Sequence, residues 1–303
     1  MKHRLVPAVV SSLVLVAASL AASLAVLPAA GAATKAACTT KPSATVQYRK
    51  LGGVPKDLTS LDVHTDKGLC AAPVVVWVHG GGYHQGDKTG AMADKVRLAR
   101  EQGWVLVSVN YRLTRAGATW SAHYPDHYDD VAHALAWVRD HIDEYGGDPD
   151  RIALLGHSAG ADIVANVVTQ PSYLAAVGME PADLACFGPL DTEGFDKTQA
   201  GPLEQRQWQD SLGNAPDYRT DTSATLLAQA DAGIPPVIGV ARGTPGRRAI
   251  ETAFLARLAD LGVPATTIDA AGISHGQVSQ SIGAPGDTVM TPPLVAFLDD
   301  CFS

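Results

Sequence analysis

Short apolar runs alternating with helix-length stretches constrain the fold of this chain more than any other feature. Pro73 to Val78 is a continuous apolar run, rich in Val and too short for a helix, and reads as a strand buried on both faces. Trp104 to Tyr111, Arg151 to Leu155, Asp183 to Phe187, Pro235 to Ala241 and Ala265 to Asp269 read as further strands. Between them the spacing predicts helices over Lys88 to Gln102, Asp126 to Tyr145, Ala161 to Val168 and Ile250 to Leu261, with a closing helix over Pro293 to Cys301. Upstream, Ser43 to Lys50 and Leu58 to Thr65 flank Gly52-Gly53-Val54-Pro55 and predict an antiparallel hairpin. This alternation predicts an α/β fold: a mostly parallel central sheet begun by an N-terminal antiparallel hairpin, with helices on both faces and active groups at the carboxyl ends of the strands. A chain of 303 residues, 46% of them hydrophobic, can fill one such core. We expect a single domain over residues 34–303, with 188–233, where the pattern loosens around Trp208 and Leu212, as an insertion over the site.

Residues 1–33 are a separate object. Lys2, His3 and Arg4 precede an apolar run from Leu5 to Leu27, and the small residues Ala30 and Ala32 then mark a cleavage site, the pattern of a secretory signal peptide. The run is also long enough for a retained anchor, but its many Ala and Ser residues favour cleavage and a secreted, extracellular product without stable membrane association. Removing the two positive charges of Lys2 and Arg4 takes the formal charge from −8 to −10, and no basic run remains. Nucleic acid and anionic membranes are therefore poor partners, and a small uncharged molecule fits better. Cys38, Cys70, Cys186 and Cys301 are an even set in an oxidising compartment. Of three pairings the hairpin favours Cys38 with Cys70, leaving Cys186 with Cys301. No Cys/His spacing suggests zinc.

The third strand enters Gly156-His157-Ser158-Ala159-Gly160, and a helix follows at once. A strand turning directly into a helix holds Ser158 in a strained conformation with its hydroxyl exposed at the helix N-terminus, and this requires small neighbours two residues away on each side. His79-Gly80-Gly81-Gly82-Tyr83 follows the strand ending at Val78. Its glycines let backbone N–H groups approach a carbonyl oxygen, so Gly81, Gly82 and the amide of Ala159 are the candidate oxyanion hole. Ten histidines offer bases, and position selects His275, on a loop just after the last strand. His79 reads as a loop brace and His157 as packing. His123, Asp126, His127, Asp129, Asp130 and His133 stand at spacings that could line a metal site, but they also fit a solvated helix start, which we adopt: no metal and no cofactor are expected.

The acid that orients the His usually follows the penultimate strand. Here Arg242-Gly243-Thr244-Pro245-Gly246-Arg247-Arg248 follows it, with no carboxylate until Glu251. Asp191, Glu251 and Asp269 are the candidates. Asp191 is preferred because its loop opens at the carboxyl edge, and a dyad without any acid would be slow.

With Val76-Trp77-Val78-His79-Gly80-Gly81-Gly82-Tyr83, Ser108-Val109-Asn110-Tyr111-Arg112, and Gly147-Asp148-Pro149-Asp150-Arg151 leading to Gly160, the chain resembles the α/β-hydrolase superfamily, in particular its hormone-sensitive-lipase-like and feruloyl-esterase-like carboxylesterases. The resemblance implies hydrolysis of carboxylic esters through an acyl-enzyme on Ser158, with His275 as base. An amide or formamide hydrolase and a catalytically inactive ligand-binding protein of the same fold are the alternatives. Tyr83, Trp120 and Tyr124, on or beside site loops, suit an aromatic or short acyl group.

Overall fold

The computed structural model describes Met1 and residues 40–303 except Ala200, and residues 37–303 form one compact unit. Eight strands are present among the described residues: β1 (Ala44–Gln47), β2 (Ser60–His64), β3 (Ala72–Val78), β4 (Val105–Val109), β5 (Gly147–His157), β6 (Cys186–Leu190), β7 (Val237–Ala241) and β8 (Ala265–Asp269). They form one sheet in the order β1-β2-β4-β3-β5-β6-β7-β8. β1 and β2 pair antiparallel, β2 joins β4 antiparallel, and all pairings from β4 to β8 are parallel. The helices are α1 (Ala93–Gln102), α2 (Asp126–His141), α3 (Ala159–Thr169), α4 (Pro171–Ala175), α5 (Pro202–Leu212), α6 (Tyr218–Asp221), α7 (Ala224–Leu227), α8 (Pro245–Asp260), α9 (His275–Gln280) and α10 (Thr291–Phe302). None of them is long and apolar enough to cross a membrane.

Two apolar cores, one on each face, explain the continuous Val-rich strands. Successive side chains of a strand point to opposite faces, so Val74, Val76 and Val78 of β3 pack with Val131, Leu135, Ile163, Val167 and Phe254 from α2, α3 and α8. Val75 and Trp77 pack instead with Leu98 of α1 and Leu294 and Leu298 of α10. Full burial of each such side chain contributes about 1.5–3 kcal/mol, and in β3 every residue from Val74 to Val78 is buried. The Cys186–Cys301 disulfide ties β6 to α10 on the second face and closes a separation of 115 residues. Restricting the unfolded chain in this way is worth roughly 5 kcal/mol on a chain-entropy account. Cys70 is also disulfide-bonded; Cys38, its expected partner, lies outside the described residues, as does the apolar run from Leu5 to Leu27.

Several boundaries differ from expectation for local reasons. The first helix starts at Ala93 rather than Lys88, because the Asp87 carboxylate accepts from the Thr89 amide and hydroxyl and holds a turn there. β6 lies three residues later than predicted: Pro181–Asp183 form a 3-10 turn closed by reciprocal Glu180 and Asp183 caps, and the strand itself contains Pro189. The expected 188–233 segment accordingly begins inside β6 and carries α5, α6 and α7. α8 starts at Pro245 rather than Ile250, capped by Thr244, whose hydroxyl accepts from the Arg247 amide.

Candidate active site

β5 ends at His157 and α3 begins at Ala159, leaving Ser158 alone in the turn with φ 58° and ψ −119°. A non-glycine residue in this region is strained and persists only where the surroundings enforce it. The flanking glycines allow the enforcement: a Cβ on Gly156 would lie 2.4 Å from the Gly160 carbonyl oxygen, and one on Gly160 would lie 2.3 Å from that of Val78. Gly160→Ala is therefore expected to push α3 off β3, costing about 1–3 kcal/mol of stability and about a hundredfold in turnover through displacement of Ser158, as read by thermal melting and p-nitrophenyl acetate hydrolysis.

The ends of three more elements meet at this turn. His275 Nε2 lies 2.9 Å from Ser158 Oγ, and His275 Nδ1 lies 2.6 Å from Asp191 Oδ2. His275 is the first residue of α9 rather than a loop residue; Ser274 caps that helix by accepting from the Gln277 amide. Asp191 follows β6 and is 2% exposed. Burial alone would raise its pKa, but hydrogen bonds and charge from His275, Arg247 and Arg242 outweigh it and hold the carboxyl at about 2. An ionised carboxylate only accepts, so Nδ1 of His275 carries the proton and Nε2 is left to accept from the Ser158 hydroxyl.

The other candidate acids face elsewhere. Glu251 is buried against β7, where its Oε1 accepts from the Val240 amide, and burial pushes its pKa well up. Asp269 pairs with Arg248 at the surface. The residues considered for a metal are also engaged: Asp130 accepts from Arg49 and Arg112, His127 Nε2 meets the Thr114 hydroxyl, and His133 Nδ1 meets the Asp129 carbonyl. Among the described residues only His157, Asp191 and His275 group at metal-ligand distances, and both ring nitrogens of His275 are already bonded to Asp191 and Ser158.

The glycine loop lies against the turn. Gly81 has φ 121°, and a Cβ there would lie 1.9 Å from the Gln85 carbonyl oxygen, so only glycine is accommodated. Gly82, Ser158, Ala159 and His275 line a cavity of about 180 Å³ together with Tyr83, Thr192 and Trp208. Gly81, Gly82, Ser158 and His275 line a second of about 480 Å³. His79 stacks on Tyr111 at 4.5 Å and bonds the Gly80 carbonyl, bracing the loop. Trp120 and Tyr124 line neither cavity; Trp208 of α5 supplies the aromatic wall beside Tyr83.

Residues 30–175 match the Carboxylesterase family. The chain is similar to a probable carboxylic ester hydrolase, LipM, of Mycobacterium tuberculosis, with 43% identity over 101 residues, covering 33% of this chain and 22% of that protein. It is 38% identical over 178 residues to carboxylesterase 1E of Rattus norvegicus, covering 57% of this chain and 28% of that one. Among solved structures, the metagenomic carboxylesterase EstE1 aligns over 80% of this chain and 85% of its own, with TM-score 0.64 and 23% identity. The chain has the α/β-hydrolase fold, and its first half is similar to carboxylesterase sequence. It spans less than a third of the length of the two curated relatives named.

Three features of this site were not read from the sequence. Arg242 and Arg247, standing where the acid was sought, both reach Asp191. His157 does more than pack: its Nε2 donates to the His275 carbonyl at 2.9 Å and its ring lies 4.6 Å from that of His275, while burial lowers its pKa to about 4 and keeps it neutral. Gln207 of α5 lines both cavities and donates to the Gly82 carbonyl at 3.4 Å. The basic run after β7 was a visible signal. Gln207 carried none, since an exposed helical Gln is ordinary.

Proposed function

We propose that the protein is a secreted serine hydrolase that cleaves carboxylic esters of small molecules through an acyl-enzyme on Ser158. The observation that carries the reading is the unbroken hydrogen-bonded series from Ser158 through His275 to Asp191, beside a glycine loop. Ser158 Oγ attacks the ester carbonyl and His275 Nε2 takes its proton; the amides of Gly81, Gly82 and Ala159 hold the oxyanion; His275 returns the proton to the leaving alcohol; and water, activated by His275, releases the acid. Asp191 keeps the tautomer and stabilises the imidazolium. The smaller cavity suits a short or single-ring acyl group and the larger one the alcohol. The similar proteins of Mycobacterium tuberculosis and Rattus norvegicus are a probable carboxylic ester hydrolase and a carboxylesterase, which supports esters over amides. The Cys186–Cys301 disulfide supports an oxidising destination, with residues 1–33 removed as a signal.

A fluorophosphonate probe on the folded protein is expected to label Ser158, located by peptide mass, and acetyl and butyryl p-nitrophenyl esters are expected to turn over while a formamide does not. Absence of label on Ser158 would sink the assignment; ligand-dependent stabilisation with no turnover would instead identify a binding protein.

A further inference from the structure

Asp191 is an awkward residue to hold still. Its backbone sits at φ 63°, a left-handed conformation that a non-glycine side chain adopts under constraint. Its carboxylate is buried and free to turn about χ2 unless both oxygens are engaged. They are. Oδ1 accepts from Arg247 through Nε at 3.0 Å and through the terminal nitrogen NH2 at 2.9 Å; Oδ2 accepts from Arg242 Nε and from His275 Nδ1. Arg247 also reaches the Asp191 carbonyl oxygen at 3.4 Å, so one guanidinium spans the side chain and the main chain of the same residue. The arginines are themselves placed by the fold. Arg242 leaves the end of β7, Arg247 lies in the first turn of α8 behind the Thr244 cap, and its NH1 pairs with Glu193 at 3.0 Å.

We propose that Arg242 and Arg247 are positioning residues that hold the Asp191 carboxylate with Oδ2 on His275. The proposal rests on the catalytic reading above. The loop after the penultimate strand thus serves the relay without supplying its acid: it sends two guanidiniums across to a carboxylate borne by the preceding strand. Arg suits this task because its planar fork engages a carboxylate at two points, which a lysine ammonium cannot reproduce.

A second consequence is electrostatic. The groups facing His275 are Asp191 from β6, Arg242 and Arg247 from β7 and α8, and the neutral His157 from β5. Glu193 lies behind Arg247, the Arg248–Asp269 pair stands at the end of β8, and Lys95 of α1 bonds the Ser279 carbonyl of α9. Replacing one guanidinium by an uncharged side chain removes one of the groups that hold the Asp191 carboxyl at about 2, so protonation of Asp191, and the acid limb of activity with it, moves to higher pH.

The test is steady-state turnover of p-nitrophenyl acetate by Arg242→Met, Arg247→Met and Arg247→Lys, with melting temperature and a pH profile for each. The Met variants are expected to lose about ten- to a hundredfold in kcat, the cost of misplacing a catalytic group, with KM within about twofold of wild type and the acid limb shifted upward. Arg247→Lys should restore the limb but not kcat. Unchanged kcat in both folded Met variants would overturn the proposal, as would a loss that disappears on assay well below the melting temperature with the pH profile unmoved. Fluorophosphonate labelling separates the two levels of inference: no label on wild-type Ser158 rejects the catalytic reading itself, whereas a labelled, fully active Met variant rejects only the clamp.

Discussion

Asp191→Asn is expected to lower kcat about ten-thousand-fold, as loss of the orienting acid does in serine hydrolysis generally, with Ser158→Ala as the floor of the assay. Asparagine is nearly isosteric, but its amide can donate to His275 Nδ1 and so stabilise the tautomer whose proton sits on Nε2, where Ser158 needs an acceptor. In this chain the substitution has a second effect. Arg242 and Arg247 lose the charge they share, leaving two guanidiniums, 11% and 18% exposed in their side chains, around a neutral group. Removing one partner of such a pair typically costs about 3–5 kcal/mol when buried, and less here because the arginines retain some contact with water. Measuring kcat and melting temperature together separates the effects: kcat should fall at temperatures where the variant is fully folded. A variant that keeps more than about a tenth of wild-type kcat would show that Asp191 is not the acid of the relay. The pH dependence has a definite sign. The folded-state pKa of Asp191 is about 2, below its ordinary value of 3.8, so its ionised form contributes fully above about pH 4 and is lost only as pH falls through about 2. Inactivation between pH 5 and 7 would therefore not come from Asp191.

Lys197→Met is expected to lower stability by about 3–5 kcal/mol, the cost of stripping one partner from a buried ion pair, or roughly 10 °C in melting temperature for a domain of this size. Lys197 is fully buried and burial lowers its pKa, yet it is held by Asp162 Oδ1 at 2.7 Å, by the Gly194 carbonyl at 2.9 Å and by the Thr222 carbonyl, and lies 5.4 Å from the ring of Trp208. Asp162 stands in the first turn of α3, directly after Ser158, and also accepts from the Tyr83 and Tyr128 hydroxyls and the Asn166 amide. One ammonium group therefore fastens the segment between β6 and β7 to the helix that follows Ser158 and, through Asp162, to the tyrosine that ends the glycine loop. Losing it leaves a buried carboxylate with neutral donors only. Lys197→Met combined with Asp162→Asn should recover part of the loss, since no uncompensated charge then remains. Equal melting temperatures for Lys197→Met and wild type would show that the pair contributes nothing net.

Read alone, the chain made the strand–Ser158–helix turn and the glycine loop legible, along with the alternation that builds a parallel sheet, because each is a demand on neighbouring residues. Gly156 and Gly160 flank Ser158 since the backbone of the turn approaches other backbone, and β3 is Val-rich on both faces since each face has its own core. Pairing Cys186 with Cys301 was also within reach, the hairpin having claimed the other two cysteines. Boundaries slipped where local chemistry competes with periodicity, as at Pro181–Asp183 and the Asp87 turn. Which carboxylate faces His275 was left among three, because that depends on the lateral order β6-β7-β8 and on where each strand ends, neither of which is encoded within a short window. The same holds for the arginines. After β7 the sequence displays an apparent gap of positive charge, and only the tertiary structure, by placing the end of β6 beside the end of β7, turns that gap into two contacts on Asp191. Local backbone requirements are written in adjacent residues; the meeting of charges from separate strands is decided by packing.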